Sequence, residues 1–559
     1  MMEFIKYTFA ALAAFVGMGA MAQDLTKEIT VEKDIIPIER EASRIDRLPQ
    51  LRLPAVSMKK LSWSDRAVSA PVTASLATLA PASYLSSMER PEHKGYVYAG
   101  YFPALQAEVS AGYRFVDNEN TIAGAWLQYD GSQYKQRNIA DNKLDYRDHT
   151  AKIGVDVAQK FDYAGTLSAR LNYMFSSFNY PTVYEKGFSQ NVNNVDFGMA
   201  WRSEPGRFEY YAALDYGYFK FGKPDVDFSK AMSENYGDFS LGGRFALGAA
   251  THIGADVNVE FVNDSESEAF GLKSTAANLC VTPYFKASGA KYNVKIGVNV
   301  GHAFNRGTST YVAPDVKLEW MPASQFTVYV GADGGARLNT AAMLFGENHL
   351  INPSQSYETT RKKIGVDGGF LIGPFAGASI KAWGSYATFS RQLMPELCED
   401  DRGEYTGVYM ASYDFKSINY GIMFSYEYRD IAKGYVSYEG APRSYDEGYA
   451  AWRDRAKSVL GAGVSVSPLK ALDITLDYRL RSGRAVYIAG DPLVGPFEGG
   501  YTAVKLGNVS SLDLGATYRF NDRFNVWARG ENLLGSRWQE NFLLPCKGVT
   551  GLVGIGYKF

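Results

Sequence analysis

Residues 549–559 restrict most strongly what this chain can fold into. Every second side chain, including Val553, Ile555 and Tyr557, falls on one face, and the series stops on the aromatic Phe559. The opposite face carries small residues, Leu552 and Lys558. A period of two is that of a β-strand with one apolar side and one small or polar side. We therefore predict a strand at this end of the sequence.

The same alternation returns along the rest of the chain. In residues 472–481, leucine, isoleucine and tyrosine face one way, while aspartate, threonine and arginine face the other. Residues 105–115 and 511–520 repeat the pattern. Alternation alone also describes a soluble sandwich whose polar face is the exterior. A signal peptide predicted at residues 1–22, the terminal aromatic and the length of the strands favour a membrane barrel instead.

The connections between these segments alternate between tight turns and mostly long loops. The tight turns carry Gly, Pro, Asn, Asp or Ser, or are too short to be anything else. The connections at 101–104 and 305–308 are short although they fall on the side of the long loops. The predicted turns are 117–120, 162–165, 204–207, 249–250, 288–291, 322–325, 373–376, 416–419, 468–471 and 519–523, and the predicted loops are 136–148, 179–191, 223–233, 264–275, 339–356, 395–403, 440–454, 488–508 and 535–548.

These segments predict an all-β fold, a transmembrane antiparallel β-barrel of about 22 strands with short periplasmic turns and long extracellular loops. A barrel leaves no free edge, so the last strand is expected to pair with the first, near residues 96–99. The polar faces are expected to line the lumen. The predicted lumen-facing charges are Glu108, Arg114, Asp473, Asp477, Arg479, Arg481, Asp513 and Arg519.

The composition agrees with this class. Aromatic residues make up 14% of the chain, glycine occurs 55 times and the mean hydropathy is −0.22. Such a balance fits a barrel that is apolar outside and polar inside. After the N-terminus no run of ~18 apolar residues occurs, so no membrane-spanning helix is predicted. The net charge of −2 gives no indication of a nucleic-acid partner.

The N-terminal part divides into two predicted segments. Residues 1–22 have a basic start, a short apolar stretch and the small-x-small site Ala20-Met21-Ala22, which predicts a signal peptide cleaved before Gln23. Residues 23–94 contain six prolines and no glycine, and we expect an extended periplasmic segment without a globular fold. The barrel is expected to occupy residues 95–559.

The C-terminal part resembles the TonB-dependent receptors. Residues 526–534 (VWARGENLL), then Arg537 and Trp538, then the glycine-rich residues 551–559 are similar to the closing pattern of that family. Asn352-Pro353 ahead of residues 357–358 is similar to a segment that enters a mid-barrel strand there. The resemblance implies an outer-membrane location and a terminal strand that the barrel-insertion machinery recognises. The assembly signal it implies is Phe559, Tyr557, Ile555 and Val553.

One departure from that family concerns the plug. The receptors carry a globular, glycine-rich plug ahead of the barrel, and residues 23–93 show no such motif. The chain therefore looks like a plug-less relative of the Bacteroidota type. Residues 27–36, with the alternating Ile29, Val31 and Ile35, leave three alternatives open: an edge strand added to a periplasmic partner, as a TonB box does, an exposed linker, or a segment lying in the mouth of the lumen.

No constellation of reactive residues stands out. The five histidines are scattered without metal-binding spacing, and no nucleophile elbow or phosphate loop occurs. We therefore expect no catalytic residue, no metal, no cofactor and no enzymatic activity. Cys398 and Cys546 both fall in predicted outer loops, and a disulfide bridge between them is left open.

Two functions remain open from the sequence. The first is a channel or transporter that passes solutes across the outer membrane. The second is a structural or assembly subunit that recruits periplasmic or lipoprotein partners through residues 23–94. Expected partners in either case are outer-membrane lipid and lipopolysaccharide, together with the barrel-insertion machinery.

Overall fold

The computed structural model describes most of residues 93–559. The ranges are 93–102, 106–137, 141, 143–180, 189–224, 230–265, 272–307, 309–399, 405–441, 443–445, 456–489, 501–541 and 544–559. The predicted signal peptide of residues 1–22 lies outside the described residues. So does the predicted partner strand with Ile29, Val31 and Ile35, as part of residues 23–92.

In the described part of the chain, 22 antiparallel strands close into a barrel. The predicted fold class is confirmed. The wall strands are β1 (Gly95–Phe102), β2 (Gln106–Asp117), β3 (Thr121–Arg137), β4 (Lys143–Phe161), β5 (Gly165–Asn179), β6 (Ser189–Ser203), β7 (Phe208–Phe221), β8 (Ser233–Ala246), β9 (Thr251–Asp264), β10 (Thr275–Gly289), β11 (Tyr292–Phe304), β12 (Ser309–Ala323), β13 (Phe326–Arg337), β14 (Thr360–Phe375), β15 (Ala378–Glu399), β16 (Tyr405–Tyr428), β17 (Ala432–Gly440), β19 (Ser458–Leu469), β20 (Leu472–Ser482), β23 (Val509–Arg519), β24 (Phe524–Glu531) and β27 (Thr550–Lys558).

Shorter elements lie in the connections. β18 (Arg443–Tyr445) pairs with β16, β21 (Ala485–Ala489) pairs with β22 (Tyr501–Lys505), and β25 (Gln539–Asn541) pairs with β26 (Leu544–Pro545). One helix, α1 (Ala341–Glu347), occurs among the described residues. No helix there has the length and apolar character needed to cross a membrane.

The last strand closes the barrel onto the first. β27 pairs with β24 on one side and with β1 on the other, where Tyr96 is opposite Lys558. Two backbone hydrogen bonds extend this pairing, from Gly95 N to Phe559 O at 2.8 Å and from Phe559 N to Gly95 O at 2.9 Å. Among the described wall strands the closed ladder leaves no unpaired edge, which is the condition for a sheet to lie in lipid.

The two faces of the wall have opposite chemistry. The four alternate residues of the closing strand from Val553 to Phe559 are between 44% and 63% exposed, while Leu552 on the other face is buried. Large apolar side chains are exposed in the same way on strands all around the barrel, for example Ile153, Ile296 and Val436. A continuous apolar exterior of this kind fits contact with lipid tails.

Most predicted turns and loops agree with the structure, and three do not. Residues 416–419 were predicted to turn, but they lie inside β16, and the turn comes at residues 429–431. Asn419 donates to Ser385 Oγ (3.4 Å) and Ser417 Oγ (3.1 Å) on the inner face, where polar side chains belong in a strand. The predicted loops at 136–148 and 395–403 are also shorter, because β4 and β15 continue into them.

Arginine substitutions distinguish the lipid face from the lumen face. Leu476 is 42% exposed on the apolar face of β20, and Thr475 lies on the opposite face. Leu476→Arg should cost roughly 2–4 kcal/mol if the site is near the bilayer midplane. Thr475→Arg should be far milder, because water reaches the lumen. The folded fraction in the outer membrane, seen as a heat-modifiable gel shift, measures both. A harsher effect at Thr475 would reverse the assignment of the faces.

The closing strand yields a second prediction. The Phe559 ring lies 5.9 Å from the rings of both Tyr113 and Tyr557, so it joins the two ends of the sheet. Phe559→Ser removes these contacts and the proposed assembly signal, and it should lower the amount of folded protein in the outer membrane. Lys558→Ala, on the inner face, is the matched control and should assemble normally. Full assembly of the Phe559 variant would show that the terminal aromatic is dispensable.

Candidate functional site

The connection between β13 and β14, residues 338–359, folds over the long-loop end of the barrel. We call it the mouth segment. Loops usually run over the surface, because their backbone polar groups need water. Here Ala341, Ile351, Ser354 and Tyr357 are all at most 1% exposed. The mouth segment is therefore part of the protein core.

An apolar cluster holds the mouth segment against the inner wall. The ring of Phe345 lies 5.8 Å from that of Phe178 and 5.5 Å from that of Phe219. A buried ring in such contacts contributes more than its area alone. The buried members of the cluster are Phe178, Tyr180, Val192, Phe219, Phe221, Met232, Ala341, Leu344, Phe345, Leu350, Ile351, Tyr357, Leu393, Val408, Met410 and Leu506.

Ile351 and its neighbours contact opposite sides of the barrel. The hydroxyl of Tyr180, just after β5, donates to Ile351 O at 2.7 Å. Asn352 N donates to Val408 O, and Val408 N to Leu350 O, both at 2.8 Å, so that the segment pairs with β16. Around the wall, β5 and β16 are eleven strands apart, which is half of the 22. The mouth segment therefore contacts parts of the chain that belong to opposite sides of the wall.

Buried charges hold the base of the mouth segment, by which we mean residues 338–342 and 356–359. Arg306 and Asp264 form an ion pair at 2.7 Å, with side chains only 1% and 0% exposed. Ser356 Oγ donates to the same Asp264 at 2.8 Å, and Thr359 N donates to Arg306 O at 2.8 Å. Buried charges persist only when they are paired and hydrogen-bonded. This arrangement fixes the end of the segment that leads into β14.

Buried hydrogen bonds hold the start of the segment. The side chain of Glu234, fully buried, accepts from Ala341 N at 2.9 Å at the first residue of α1. Asn339 Nδ2 donates to Glu358 O at 2.5 Å and to Thr360 Oγ1 at 2.8 Å, which ties the two ends of the segment together. The segment therefore begins and ends side by side.

Tyr357 lies beside this charged base. Burial raises the pKa of its hydroxyl well above the ordinary value, and the nearby Glu234 and Asp264 carboxylates raise it further. The group therefore stays neutral. Asn352-Pro353 and Tyr357-Glu358, which resemble a strand-entry segment, both lie within the mouth segment ahead of β14.

Residues 532–549 form a second inward connection, between β24 and β27. Tyr134 Oη donates to Pro545 O and Gln136 Nε2 to Lys547 O, each at 3.2 Å, and Leu544 packs on the cluster of the mouth segment. The two connections therefore meet. Cys546 is buried here as a free thiol, so the bridge to Cys398 that the sequence left open is not formed.

The structure places the predicted inner charges on the face opposite the exposed apolar side chains. Arg529 bonds Glu108, Arg519 bonds Asp473, and Arg114 lies 3.3 Å from Asp117.

The remaining predicted charges lie higher on β20 and β23. Asp513 accepts from Asn532 N at 2.8 Å, Asp477 from Tyr435 Oη at 3.5 Å, and Arg481 lies 3.8 Å from Glu540. Arg479 lies on the same face of β20 as Asp477 and Arg481. Together with the pairs lower on the wall, they give a lumen of mixed charge.

Sequence reasoning missed a row of carboxylates on this wall. Asp215 is directly opposite Asp238, which is directly opposite Glu260, on β7, β8 and β9. Like charges in direct register repel. Arg170 offsets Asp215 at 2.6 Å, and Asn258 donates to Asp238 at 2.6 Å. Only strand register brings these residues together, and no sequence signal gave that register.

Among the described residues, no group of three or more His, Cys, Asp or Glu side chains is placed to hold a metal ion. Within the acidic row, Asp238 accepts hydrogen bonds from the neutral side chains of Asn258 and Ser240. This part of the chain therefore offers a polar, charged inner face with a buried connection at one end of the barrel.

Comparison with solved structures gives the fold a precedent. The ferric enterobactin receptor PfeA of Pseudomonas aeruginosa matches with a TM-score of 0.62 at 10% identity, over 84% of this chain and 82% of that one. The ferric-catecholate import receptor Fiu of E. coli K12 matches with a TM-score of 0.60 at 9% identity, over 84% and 82%. The copper transporter OprC matches with a TM-score of 0.56 at 13% identity, over 83% and 80%. These are TonB-dependent receptors with 22-strand barrels.

The fold is that of an outer-membrane receptor barrel. At such low identity the likeness establishes the fold alone, and no protein-family model and no curated protein matches the sequence. The barrel and its apolar exterior fit the outer membrane, and the mouth segment lies at the end of the barrel that carries the long connections.

Breaking the buried ion pair at the base should destabilise the barrel. Arg306→Met leaves the Asp264 carboxylate buried without its partner, at a cost of about 3–5 kcal/mol. The matched control is Arg170→Met, which breaks a pair whose side chains are about half exposed and should cost less than about 1 kcal/mol. Denaturant unfolding of the purified barrel measures both. Equal stability of the Arg306 variant and the unaltered protein would contradict the structural role of the base.

Proposed function

We propose that the protein passes solutes across the outer membrane through its barrel, and that the mouth segment closes the outer opening at rest. The shared fold with import receptors and transporters supports this, and so does the lumen of charged and polar side chains. The solved relatives are named for copper, ferric enterobactin and ferric catecholates. The fold thus serves more than one cargo and does not name the cargo here.

The observation that carries the proposal is the crossing of the mouth by residues 338–359. From the contacts of this segment with Tyr180, next to β5, and with β16, we infer that it closes the mouth. Passage therefore requires the segment to move, so the barrel is a gated conduit rather than an open pore. The proposal involves no catalytic step.

A second function is favoured by the same closed mouth. A barrel sealed by its own chain can act as a structural or assembly subunit without conducting anything. Residues 23–94 would then recruit a periplasmic or lipoprotein partner, with Ile29, Val31 and Ile35 as an added edge strand. In both proposals the terminal strand is the part that the insertion machinery recognises.

Removing the obstruction tests the conduit. We expect that replacing residues 343–355 by a short glycine-serine linker gives steady ion current in a planar bilayer, while the unaltered protein is closed most of the time. The base contacts of Glu234 and Arg306 remain in this variant, so the barrel should keep its heat-modifiable shift.

The outcome separates the two functions. A folded variant that stays closed would contradict passage through this mouth. Purification of the unaltered protein in mild detergent as a stoichiometric complex, together with a silent linker variant, would favour the assembly subunit.

A further inference from the structure

Carboxylates of the lumen face meet in direct register at several places around the wall, not only in the row of Asp215, Asp238 and Glu260. The further pairs are Glu108–Asp130 on β2 and β3, Asp315–Asp333 on β12 and β13, and Asp477–Asp513 on β20 and β23. All these residues lie five to nine positions from the short-turn end of their strand. We call the lumen face at this level the middle belt.

The middle belt has a surplus of negative charge. Outside the groups in register, its carboxylates are Asp156, Asp196, Asp256, Asp367, Glu439 and Glu531. Its cations are Lys152, Arg170, Lys317, Arg479, Arg481 and Arg529. Lys295 and Lys362 reach Asp315 and Asp333 from neighbouring levels, at 2.5 and 2.6 Å. Among the described residues of the belt, carboxylates still clearly outnumber cations.

Neutral groups hold many of these carboxylates in place. Asp256 accepts from Tyr211 Oη at 3.1 Å. Asp238 accepts from Asn258 Nδ2 at 2.6 Å. The same kind of bond joins Trp126 to Asp156 (2.8 Å), Asn194 to Asp196 (2.7 Å), Asn278 to Glu260 (3.0 Å) and Ser511 to Asp513 (2.8 Å). A neutral donor fixes a carboxylate without cancelling its charge. The negative charge of the belt therefore faces the lumen.

The lumen face close to the short turns is built differently. There Arg244 pairs with Glu209 at 2.6 Å, and Lys433 with Glu427 at 2.9 Å. Opposite charges in contact cancel, whereas like charges in direct register repel and lower stability. A wall that served packing alone would be expected to pair its charges throughout, as it does here. Local conflicts of this kind mark functional positions.

Further cations lie near the short turns, among them Lys160, Arg202 and Lys286. They are about six residues from the centre of the belt along a strand, or roughly 14 Å along the axis of a barrel with ~45° tilt. This separation exceeds the screening length of ~10 Å at 0.1 M salt. An anion in the belt therefore meets the carboxylates without compensation from these cations.

We propose that the conduit passes cationic solutes and excludes anions, with the middle belt as its charge filter. Rings of Asp and Glu select cations in channels, because they raise the local concentration of positive ions and repel negative ones. The belt has this composition on strands all around the wall, from β2 to β24. This inference rests on the proposed function as a conduit, and it names the class of solute.

Ion selectivity measures the filter directly. The full-length chain with the linker variant of residues 343–355 is placed in a planar bilayer under a KCl gradient. We expect K⁺ to pass at least about threefold more readily than Cl⁻ at ~0.1 M salt. The permeability ratio should fall toward one at about 1 M salt, because the screening length shrinks to roughly 3 Å.

Neutral isosteres identify the residues that filter. Asp196→Asn, Asp238→Asn and Asp256→Asn are combined in the linker variant. Each amide keeps an acceptor oxygen for the donor that holds it, and each removes a negative charge from the belt. The ratio of K⁺ to Cl⁻ permeability should fall by at least about half. The heat-modifiable shift should remain, because a source of repulsion is removed.

The matched control makes the same change in net charge away from the belt. Glu119→Gln, Asp162→Asn and Asp522→Asn alter exposed carboxylates in the short turns. This variant should keep the ratio of the linker variant. A ratio that falls equally in both sets would show that the total charge, and not the belt, sets the selectivity, and would overturn the inference.

A charged solute extends the test beyond small ions. The polyamine spermine should reduce the K⁺ current of the linker variant by occupying the belt, and the isosteres should weaken this block. Citrate, a multivalent anion, should not block. Block by citrate and not by spermine would contradict a cationic cargo.

The outcomes distinguish the filter from the conduit. A linker variant that conducts without preferring K⁺, or whose preference survives the isosteres unchanged, leaves the conduit in place and overturns the filter. A folded linker variant that stays silent in every salt overturns the conduit, and the filter with it.

Discussion

The pairing of β27 with β1 is the contact on which the rest of the structure depends. Lipid offers no partner for a backbone N–H or C=O, so a sheet lies in a bilayer only when its ladder is closed. The bonds between Gly95 and Phe559 complete that ladder. Once the wall is closed, each strand presents one face to lipid and one to the lumen. The alternation of apolar and polar residues follows from this geometry, as does the mixed charge inside.

A closed wall of 22 strands has an opening at each end, and we propose that the mouth segment closes the outer one. The segment extends the protein core inside the wall, where Phe345 packs on Phe178 and Phe219 and Ile351 bonds Tyr180. Burying loop backbone requires partners for its polar groups. Tyr180, the residue after β5, and Val408 of β16 are two of these partners. The proposed seal is thus built from side chains and backbone of the barrel chain itself.

The sequence predicted the barrel and its closing strand because period-two alternation is a local property. It failed at residues 416–419, where serine and asparagine resemble a turn but line the lumen within β16. It placed residues 339–356 in an outer loop without indicating that they are buried. That burial depends on Tyr180 and Val408, which are distant in sequence. The row of Asp215, Asp238 and Glu260 could not be predicted from the sequence, because the folded sheet sets the register between strands.

The seal at the outer mouth is tested most directly by the reactivity of a thiol beneath it. Ser240→Cys, in a background without native cysteines, places a thiol on the inner face of β8, deeper than Glu234. In intact cells, a membrane-impermeant maleimide should label Asp141→Cys, an exposed site between β3 and β4, and leave position 240 unlabelled. Opening the cells from the periplasmic side should not alter the labelling of the outer control. Labelling of position 240 in intact cells at the rate of position 141 would contradict a mouth closed by residues 338–359.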